Sequence, residues 1–134
     1  MGMKGYITNI EKETLENKNY RHVLYTAHNS QLVLMCIKPK EEIGEEVHEL
    51  DQFIRIEQGM CRVVLDGIEH DAGEDYAIVI PAGTKHNVIN KGDTDLKLYT
   101  IYSPPEHRDG TVHVVKADAE ADDEEFDGKT TEQW

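Results

Sequence analysis

The sequence predicts an all-β fold, either an antiparallel sandwich or a barrel. Between Gln31 and Tyr102, short apolar or alternating runs recur at the roughly ten-residue spacing typical of such domains. Gly, Asp, Asn and Pro residues separate these runs, and no strong helical pattern lies between them. The sequence also lacks a glycine-rich phosphate loop after a strand and a G-x-S-x-G motif, which argues against nucleotide-binding and serine-hydrolase folds.

The length of 134 residues suits one domain with a modest core, since 38% of the residues are hydrophobic and 31% are charged. The longest apolar runs, Leu32–Ile37 and Ala77–Ile80, are far shorter than the roughly 20 residues that span a bilayer. The N-terminus also lacks the apolar stretch of a signal peptide. We therefore expect a soluble, cytoplasmic protein.

The charge balance is strongly acidic, with 14 Lys and Arg against 27 Asp and Glu and a formal net charge of -13. Phosphate backbones and anionic lipid surfaces are repelled by such a charge, so we expect neither a nucleic-acid partner nor a membrane partner. Cys36 and Cys61 lie inside apolar runs, and there is no C-x-x-C motif. Both cysteines are predicted to be buried free thiols.

Composition divides the chain into three predicted segments: an N-terminal extension that covers the barrel (1–30), the β-barrel itself (31–115) and an acidic tail (116–134). A helix is predicted at Ile10–Lys18 within the extension. The tail contains eight acidic residues and two lysines but almost no apolar residues. Because such a segment buries too little surface to offset the entropy of ordering it, we predict that it is mobile.

The strands of the barrel follow from alternation and turn signals. Asp66-Gly67 between apolar runs is the strongest hairpin signal, since a type I′ turn needs positive φ at both positions. Gln52, Ile54 and Ile56 share one face of their strand. The predicted strands are Leu32–Ile37, Glu45–His48, Gln52–Glu57, Cys61–Leu65, Ile68–His70, Tyr76–Ile80, His86–Asn90 and Leu96–Tyr102.

Metal-compatible side chains concentrate in two segments. In an extended chain, residues two apart share a face, so Glu46 and His48 can point together into the barrel. A third ligand has to come from another strand. His86 follows the turn Pro81-x-Gly83, in which Pro fixes φ and Gly permits the bend. Glu46 has an alternative interpretation as a solvated acid among the surrounding glutamates. His86 has an alternative interpretation as a hydrogen-bonded residue of the core.

These two segments resemble the signature motifs of the cupin superfamily, G-x5-H-x-H-x3-4-E-x6-G and G-x5-P-x-G-x2-H-x3-N. The second motif matches at Pro81, Gly83, His86 and Asn90, whereas Gly73 stands two residues too far upstream. Asn90 itself is predicted to form local backbone hydrogen bonds at the strand end. The resemblance covers roughly Gln31–Tyr102.

The first motif departs from the family pattern. Counting back from Gly59 places Gln52 at the motif's glutamate, His48 at its second histidine and Glu46 at its first. The competing register is rejected because it would make Leu50 a ligand. The resemblance thus implies a four-residue ligand set of Glu46, His48, Gln52 and His86, in which Gln52 binds the metal directly, orients a water or supports His48.

The resemblance implies a double-stranded β-helix, a jelly-roll relative, that holds a divalent metal ion. Two histidines and one carboxylate suit Fe(II), but Mn, Zn, Ni and Co also accept such a set. The chain looks most similar to small bacterial cupins labelled mannose-6-phosphate-isomerase-like, and a homodimer is expected on the same ground. Fold alone does not decide the substrate.

Three functions remain open. The first is a metal-dependent enzyme that isomerises or epimerises a sugar, or that acts as a dioxygenase, on a small polar substrate; no residue identifies itself as the acid or base. The second is a non-enzymatic module that binds or senses a small ligand, and the third is a metal-free structural barrel. The remaining histidines are expected at the surface, namely His22, His28, His70, His107 and His113.

Overall fold

The structure is a computed structural model that describes residues 2–132. Within these residues the chain forms two short helices and nine strands, and the predicted all-β fold is confirmed. The elements in order are α1 Ile10–Glu16, β1 Arg21–Thr26, β2 Gln31–Ile37, β3 Asp51–Gln58, β4 Met60–Leu65, β5 Ile68–Gly73, β6 Ala77–Ile80, β7 His86–Asn90, β8 Leu96–Ser103, β9 Val112–His113 and α2 Lys116–Glu120.

The strands form two sheets. The larger has the order β6-β3-β8-β2-β1-β9, the smaller has the order β5-β4-β7, and the strand pairs are antiparallel. Buried apolar side chains from both sheets form one core, which includes Val33, Ile54, Ile56, Val63, Val88 and Leu98. The alternation predicted for β3 is confirmed, because Gln52, Ile54 and Ile56 are buried while Phe53, Arg55 and Glu57 are only partly buried.

The hairpin prediction is also confirmed. Strands β4 and β5 pair from Leu65 with Ile68 onward, and Asp66 and Gly67 have φ values of 48° and 83°. Both turn residues therefore lie in the left-handed region that a type I′ turn requires.

Part of the N-terminal segment belongs to the sheet. Helix α1 starts where the Asn9 side chain accepts the amide of Lys12, and the Lys97 ammonium on β8 donates to the carbonyl of Leu15. Strand β1 then pairs with β2 and β9, a role that the sequence did not predict. A register shift between Val23 and Tyr25 breaks its alternation, and this irregularity hides the strand from pattern analysis.

The prediction that Glu45–His48 forms a strand is wrong. The segment forms only one isolated bridge, between Glu46 and His86. Gly44 precedes it with a φ of 110°, a conformation that interrupts regular strand geometry.

The two cysteines are buried and free, as predicted. None of the helices among residues 2–132 has the length and hydropathy needed to cross a bilayer.

The acidic C-terminal segment makes defined polar contacts up to residue 132. Glu124 accepts from His107 and from the amide of Arg108, and Glu132 accepts from the amide of Gly5 and the hydroxyl of Tyr25. The sequence argument considered only apolar burial and therefore did not anticipate these contacts. Mobility of the segment stays a prediction, and residues 133–134 lie outside the described range.

Candidate metal centre

The two motif segments are joined by reciprocal backbone hydrogen bonds. The amide of Glu46 donates to the carbonyl of His86 over 2.8 Å, and the amide of His86 donates back over 2.9 Å. The turn before His86 is tied to the same segment, since the amide of Gly83 donates to the carbonyl of His48 over 2.8 Å. These bonds hold residues 46, 48 and 86 beside one another before any side-chain contact is considered.

Glu46, His48 and His86 form one group, which we call the ligand cluster. Each offers one ligand atom, and these atoms all lie within 4.8 Å of one another. The Nε2 atom of His48 is 3.5 Å from a carboxylate oxygen of Glu46, and the two imidazole centroids are 5.2 Å apart. His86 is buried, whereas Glu46 is partly exposed, so the cluster is open on the glutamate side.

The hydrogen bonding of His86 sets its tautomer. Its Nδ1 atom lies 2.9 Å from the carbonyl oxygen of Thr84, which can only accept. The Nδ1 atom therefore carries the proton, and the Nε2 atom keeps a lone pair for a ligand. A backbone carbonyl that accepts from the other ring nitrogen commonly orients a metal-binding histidine.

Glu106 is a functional candidate that the sequence analysis missed. One of its carboxylate oxygens lies 3.5 Å from the Nδ1 atom of His48, on the opposite side of the ring from Glu46. Burial, together with the charge of Glu46, raises the pKa of Glu106 to about 7. The only local signal is its position just after Pro104 and Pro105, which end β8, and no motif marks it.

The aromatic neighbour of the cluster is Tyr102. Its ring meets that of His48 edge-on, with centroids 6.0 Å apart, while Tyr99 packs on Phe53. Of these two tyrosines on β8, Tyr102 is therefore the one that contacts the cluster.

Gln52 lies on β3 with its side chain inside the barrel. It is 4% exposed, and its amide nitrogen donates to the hydroxyl of Thr100 over 3.1 Å. Its Oε1 atom is buried and has no hydrogen-bond partner among residues 2–132. An amide oxygen in this state fits a metal or a metal-bound water, so its role as a ligand stays a prediction. Asn90, by contrast, forms the predicted local bonds, since its amide nitrogen donates to the carbonyl of Thr94 and its amide oxygen accepts from the amide of Gly92. It also donates to the carbonyl of Ile37, a distant contact that was not predicted.

The family assignment follows from comparison with known proteins. The cupin domain family matches residues 33–102, which is more than half of the chain. The chain is a cupin.

Relatives of this cupin extend the match beyond the family domain. It is 46% identical over 127 residues to the uncharacterized protein YrkC of Bacillus subtilis (strain 168), covering 90% of this chain and 68% of the relative. It is 50% identical over 115 residues to the uncharacterized protein L612 of Acanthamoeba polyphaga mimivirus, covering 81% and 71%. Neither of these two relatives is described as a mannose-6-phosphate isomerase, so that label stays a prediction.

Solved structures place this cupin in the same fold. The crystal structure of BH2720 from Bacillus halodurans superposes with a TM-score of 0.88 at 45% identity and covers 90% of this chain and 97% of its own. The cupin domain of Schizosaccharomyces pombe Cnp3 superposes with a TM-score of 0.62 at 14% identity, covering 66% of each chain, which shows likeness of fold alone.

A cavity of about 340 Å³ adjoins the ligand cluster of this cupin at Glu46. Its lining comes from four stretches of the chain. The lining residues are Tyr20 and Arg21, then Ile43, Gly44 and Glu46, then Glu106 and His107, and finally Lys116, Ala119, Glu120, Asp122 and Glu124. We call residues 116–124 the wall segment. A second cavity, of about 400 Å³, has His86 as its one cluster residue. The first cavity also has one cluster residue, Glu46, but it is lined in addition by Glu106, and both glutamates contact His48.

Two histidines beside this cavity are buried, and their predicted surface position is wrong. His107 is 7% exposed and its Nδ1 atom lies 2.8 Å from Glu124; His113 is 4% exposed and its Nε2 atom lies 3.0 Å from Asp122. Arg21 donates to His113 Nδ1 over 3.1 Å. The sequence could not show this, because the partners of both histidines lie in the acidic segment that was expected to be mobile.

Proposed function

We propose that this cupin binds a divalent metal ion through Glu46, His48 and His86 and presents it to a small polar molecule in the adjoining cavity. The observation that carries the proposal is the convergence of three ligand atoms within 4.8 Å of one another. Gln52 is the candidate fourth ligand through its partnerless Oε1 atom. Fe, Mn, Zn, Ni and Co all accept this donor set.

The donor set suits a resident metal for a further reason. A neutral imidazole binds through the nitrogen that lacks the proton, and the bond from His86 to Thr84 leaves its Nε2 atom in that state. The single charged ligand, Glu46, leaves a bound divalent ion with residual positive charge. Such an ion, when bound, supplies Lewis-acid polarisation of a carbonyl or hydroxyl oxygen.

The preferred function is a metal-dependent enzyme of the isomerase or epimerase class, or of the dioxygenase class. Its substrate would lie in the cavity between Glu46 and the wall segment, where Glu106 also lines the surface. Because Gln52 and His86 are buried, such a substrate would approach the cluster from the side of Glu46. No catalytic acid or base is assigned.

The second candidate is a non-enzymatic cupin that binds or senses a small ligand. It is favoured by Gln52, which stands where the family motif has a glutamate and is held by the hydroxyl of Thr100. A neutral amide binds a cation more weakly than a carboxylate does. Weaker binding of the metal ion suits a site that binds a ligand without converting it.

Metal binding is tested on the full chain. Protein purified without chelator is analysed for metals, stripped, and titrated calorimetrically with Zn²⁺ and Mn²⁺. We expect one ion per chain, and we expect His86→Gln to lose it while His70→Gln, an exposed control on β5, retains it. A stripped protein that takes up neither ion, or equal affinity in both variants, would overturn the proposal.

Catalysis is tested separately from binding. The metal-loaded protein is offered a panel of aldoses, and oxygen consumption is measured with the same panel. Turnover that disappears in His48→Ala identifies an enzyme that depends on the cluster. Metal binding without turnover on the panel favours the sensing function, and turnover that survives in His48→Ala removes the metal mechanism.

The homodimer and the cytoplasmic location also stay proposals. The strand registers align five partly or fully exposed apolar side chains in one row across the outer face of the larger sheet: Val79, Phe53, Ile101, Leu32 and Tyr25. Contiguous apolar surface of this kind supports association with a second copy. Sedimentation equilibrium should give a dimer for the native chain and a monomer for Phe53→Glu, with Arg62→Glu on the other sheet as the control; a monomeric native chain would contradict it.

A further inference from the structure

The imidazole of His48 lies between two carboxylates, one on each side of its ring. A carboxylate oxygen of Glu46 lies 3.5 Å from its Nε2 atom, and one of Glu106 lies 3.5 Å from its Nδ1 atom. Glu46 belongs to the ligand cluster, whereas the converging ligand atoms found within residues 2–132 do not include those of Glu106. A metal ion at the cluster would therefore meet Nε2 on the side of Glu46 and leave Nδ1 facing Glu106.

The carboxylate of Glu106 is available to His48. Among the residues that the structure describes, it forms no ion pair with a lysine or an arginine, and its ion-pair partner is His48. The side chains of His48 and Glu106 are 12% and 31% exposed, so water screens this contact less than it would at the open surface. The distance of 3.5 Å is long for a hydrogen bond, so the carboxylate acts on the ring mainly through its charge.

The backbone at Glu106 is held in place by Gln31, at the start of β2. Gln31 is 1% exposed, and its Oε1 atom accepts from the amides of Glu106 over 3.2 Å and His107 over 2.9 Å. Its amide nitrogen donates to the carbonyl of His107 over 2.7 Å. The amide of Phe126 donates to the carbonyl of Glu106 over 3.0 Å. Glu106 is therefore attached to the larger sheet and has a fixed place beside the cluster.

A negative charge beside Nδ1 affects how the imidazole binds a metal ion. It favours the tautomer in which Nδ1 carries the proton, because the positive end of the N–H dipole then points to the carboxylate. The Nε2 atom of that tautomer keeps its lone pair. A carboxylate in this position also orients the ring and raises the basicity of the ligating nitrogen. The carbonyl of Thr84 has the corresponding place beside Nδ1 of His86, so both histidines would present Nε2 to the ion.

We propose that Glu106 is a positioning residue of the metal centre, which keeps the proton on Nδ1 of His48 and so directs its Nε2 atom to the ion. The inference rests on the proposed function for the ion itself. It adds a residue outside the ligand cluster that sets the metal affinity through His48.

The tautomer is tested without metal, by NMR of isotope-labelled histidines in the stripped full chain. At mildly alkaline pH, above the pKa of about 7 of Glu106, we expect Glu106→Ala to shift His48 from the Nδ1–H form toward the Nε2–H form. Glu125→Ala is the control, because the exposed Glu125 carboxylate also acts on Glu106 through its charge but is not an ion-pair partner of His48. An unchanged tautomer in Glu106→Ala, or the same change in both variants, would overturn the inference.

The effect on the metal is tested by Zn²⁺ titration of the full chain, followed by NMR so that weak binding is also measured. Glu106→Ala should weaken Zn²⁺ binding by about tenfold, and Glu125→Ala should leave it unchanged. In a His48→Ala chain, which retains Glu46 and His86, adding Glu106→Ala should have no further effect.

Two results of the titration would overturn the inference. One is undiminished Zn²⁺ affinity in Glu106→Ala. The other is a tenfold loss that persists in the His48→Ala chain, because Glu106 would then act on the ion without His48. A native chain that takes up no Zn²⁺ would instead overturn the proposed function, and the tautomer measurement does not depend on the metal.

Discussion

The ligand cluster and the wall segment lie on the same cavity but are positioned by different interactions. Backbone hydrogen bonds place Glu46 opposite His86, and the chain on both sides of them enters the sheets. Side-chain contacts, from His107 to Glu124 and from His113 to Asp122, attach the wall segment itself, and backbone hydrogen bonds hold only its flanks, at Val114 and Phe126. We therefore expect the end of the cavity at Glu46 to open only together with the barrel, and the wall segment to open separately.

The largest expected effect comes from the barrel core. Ile54→Ala should lower the free energy of unfolding by about 2–5 kcal/mol, because Ile54 is fully buried within the core between the sheets. Urea denaturation monitored by fluorescence measures this. Ile68→Ala, at a position 63% exposed on β5, should change it by less than about 0.5 kcal/mol. Equal losses in the two variants would contradict the placement of the core.

The next effect separates two adjacent glutamates. Glu46→Gln should reduce Zn²⁺ affinity by about 100-fold, since it removes the only charged ligand of the cluster. Glu45→Gln is the matched control, because a carboxylate oxygen of Glu45 lies 3.5 Å from the ammonium nitrogen of Lys85 and Glu45 is not a member of the cluster. Calorimetric titration compares the two. If both substitutions reduce the affinity equally, the effect is one of surface charge and the cluster is not the site.

A smaller effect should be confined to the wall segment. Glu124→Ala removes the acceptor for His107 and for the amide of Arg108, at a cost of about 1–3 kcal/mol in local opening. Hydrogen exchange at the Arg108 amide should accelerate while exchange in β3 and β8 stays slow. Glu125→Ala, at the exposed neighbouring position, is the control. Rapid exchange at Arg108 in the unmodified chain would instead support the mobile tail predicted from composition.

The mildest test is acidification. Burial lowers the pKa of His107 below its ordinary 6.5. Although burial opposes it, hydrogen bonding from His107 lowers the pKa of Glu124 from 4.5 to about 2. Both pKa values are lower in the folded chain than in the unfolded chain, so both groups favour folding at neutral pH and this stabilisation is lost as the pH falls. The loss due to His107 begins below pH 6.5, and the loss due to Glu124 follows between pH 4.5 and about 2.

An NMR titration of the amides in residues 116–124 measures that loss. We expect the wall segment to loosen in acid before the β3 and β8 resonances change. In Glu124→Ala the dependence between pH 4.5 and about 2 should disappear. Loosening on raising the pH would contradict the direction of both shifts.

The sequence predicted those parts of the molecule that have a repeating or fixed-spacing signal. Alternation in β3 and the Asp66-Gly67 turn each follow from the local chain, and Pro81-x-Gly83 marks the approach to His86. Glu46 was harder, because its neighbours are also acidic. Its assignment depended on counting from Gly59, and the structure brings it into the cluster.

The remaining features depend on contacts between distant polar side chains, which have no periodic signal. Glu106 lies next to His48 although 58 positions separate them in the numbering. His107 and His113 are buried because Glu124 and Asp122 fold back over them. For Gln52 the sequence predicted the position inside the barrel. Whether Gln52 binds a metal depends on its buried Oε1 atom, and a sequence motif does not show the surroundings of that atom.

Strand β1 has a practical consequence for anyone who shortens this protein. The family match begins at residue 33, inside β2, and ends at residue 102, inside β8. A fragment cut at those borders would uncover the unpaired backbone of β2 along its whole length, and exposed strand edges recruit other chains into aggregates. Such a fragment should therefore precipitate, and the folding unit has to be taken as longer than the conserved-domain boundaries suggest.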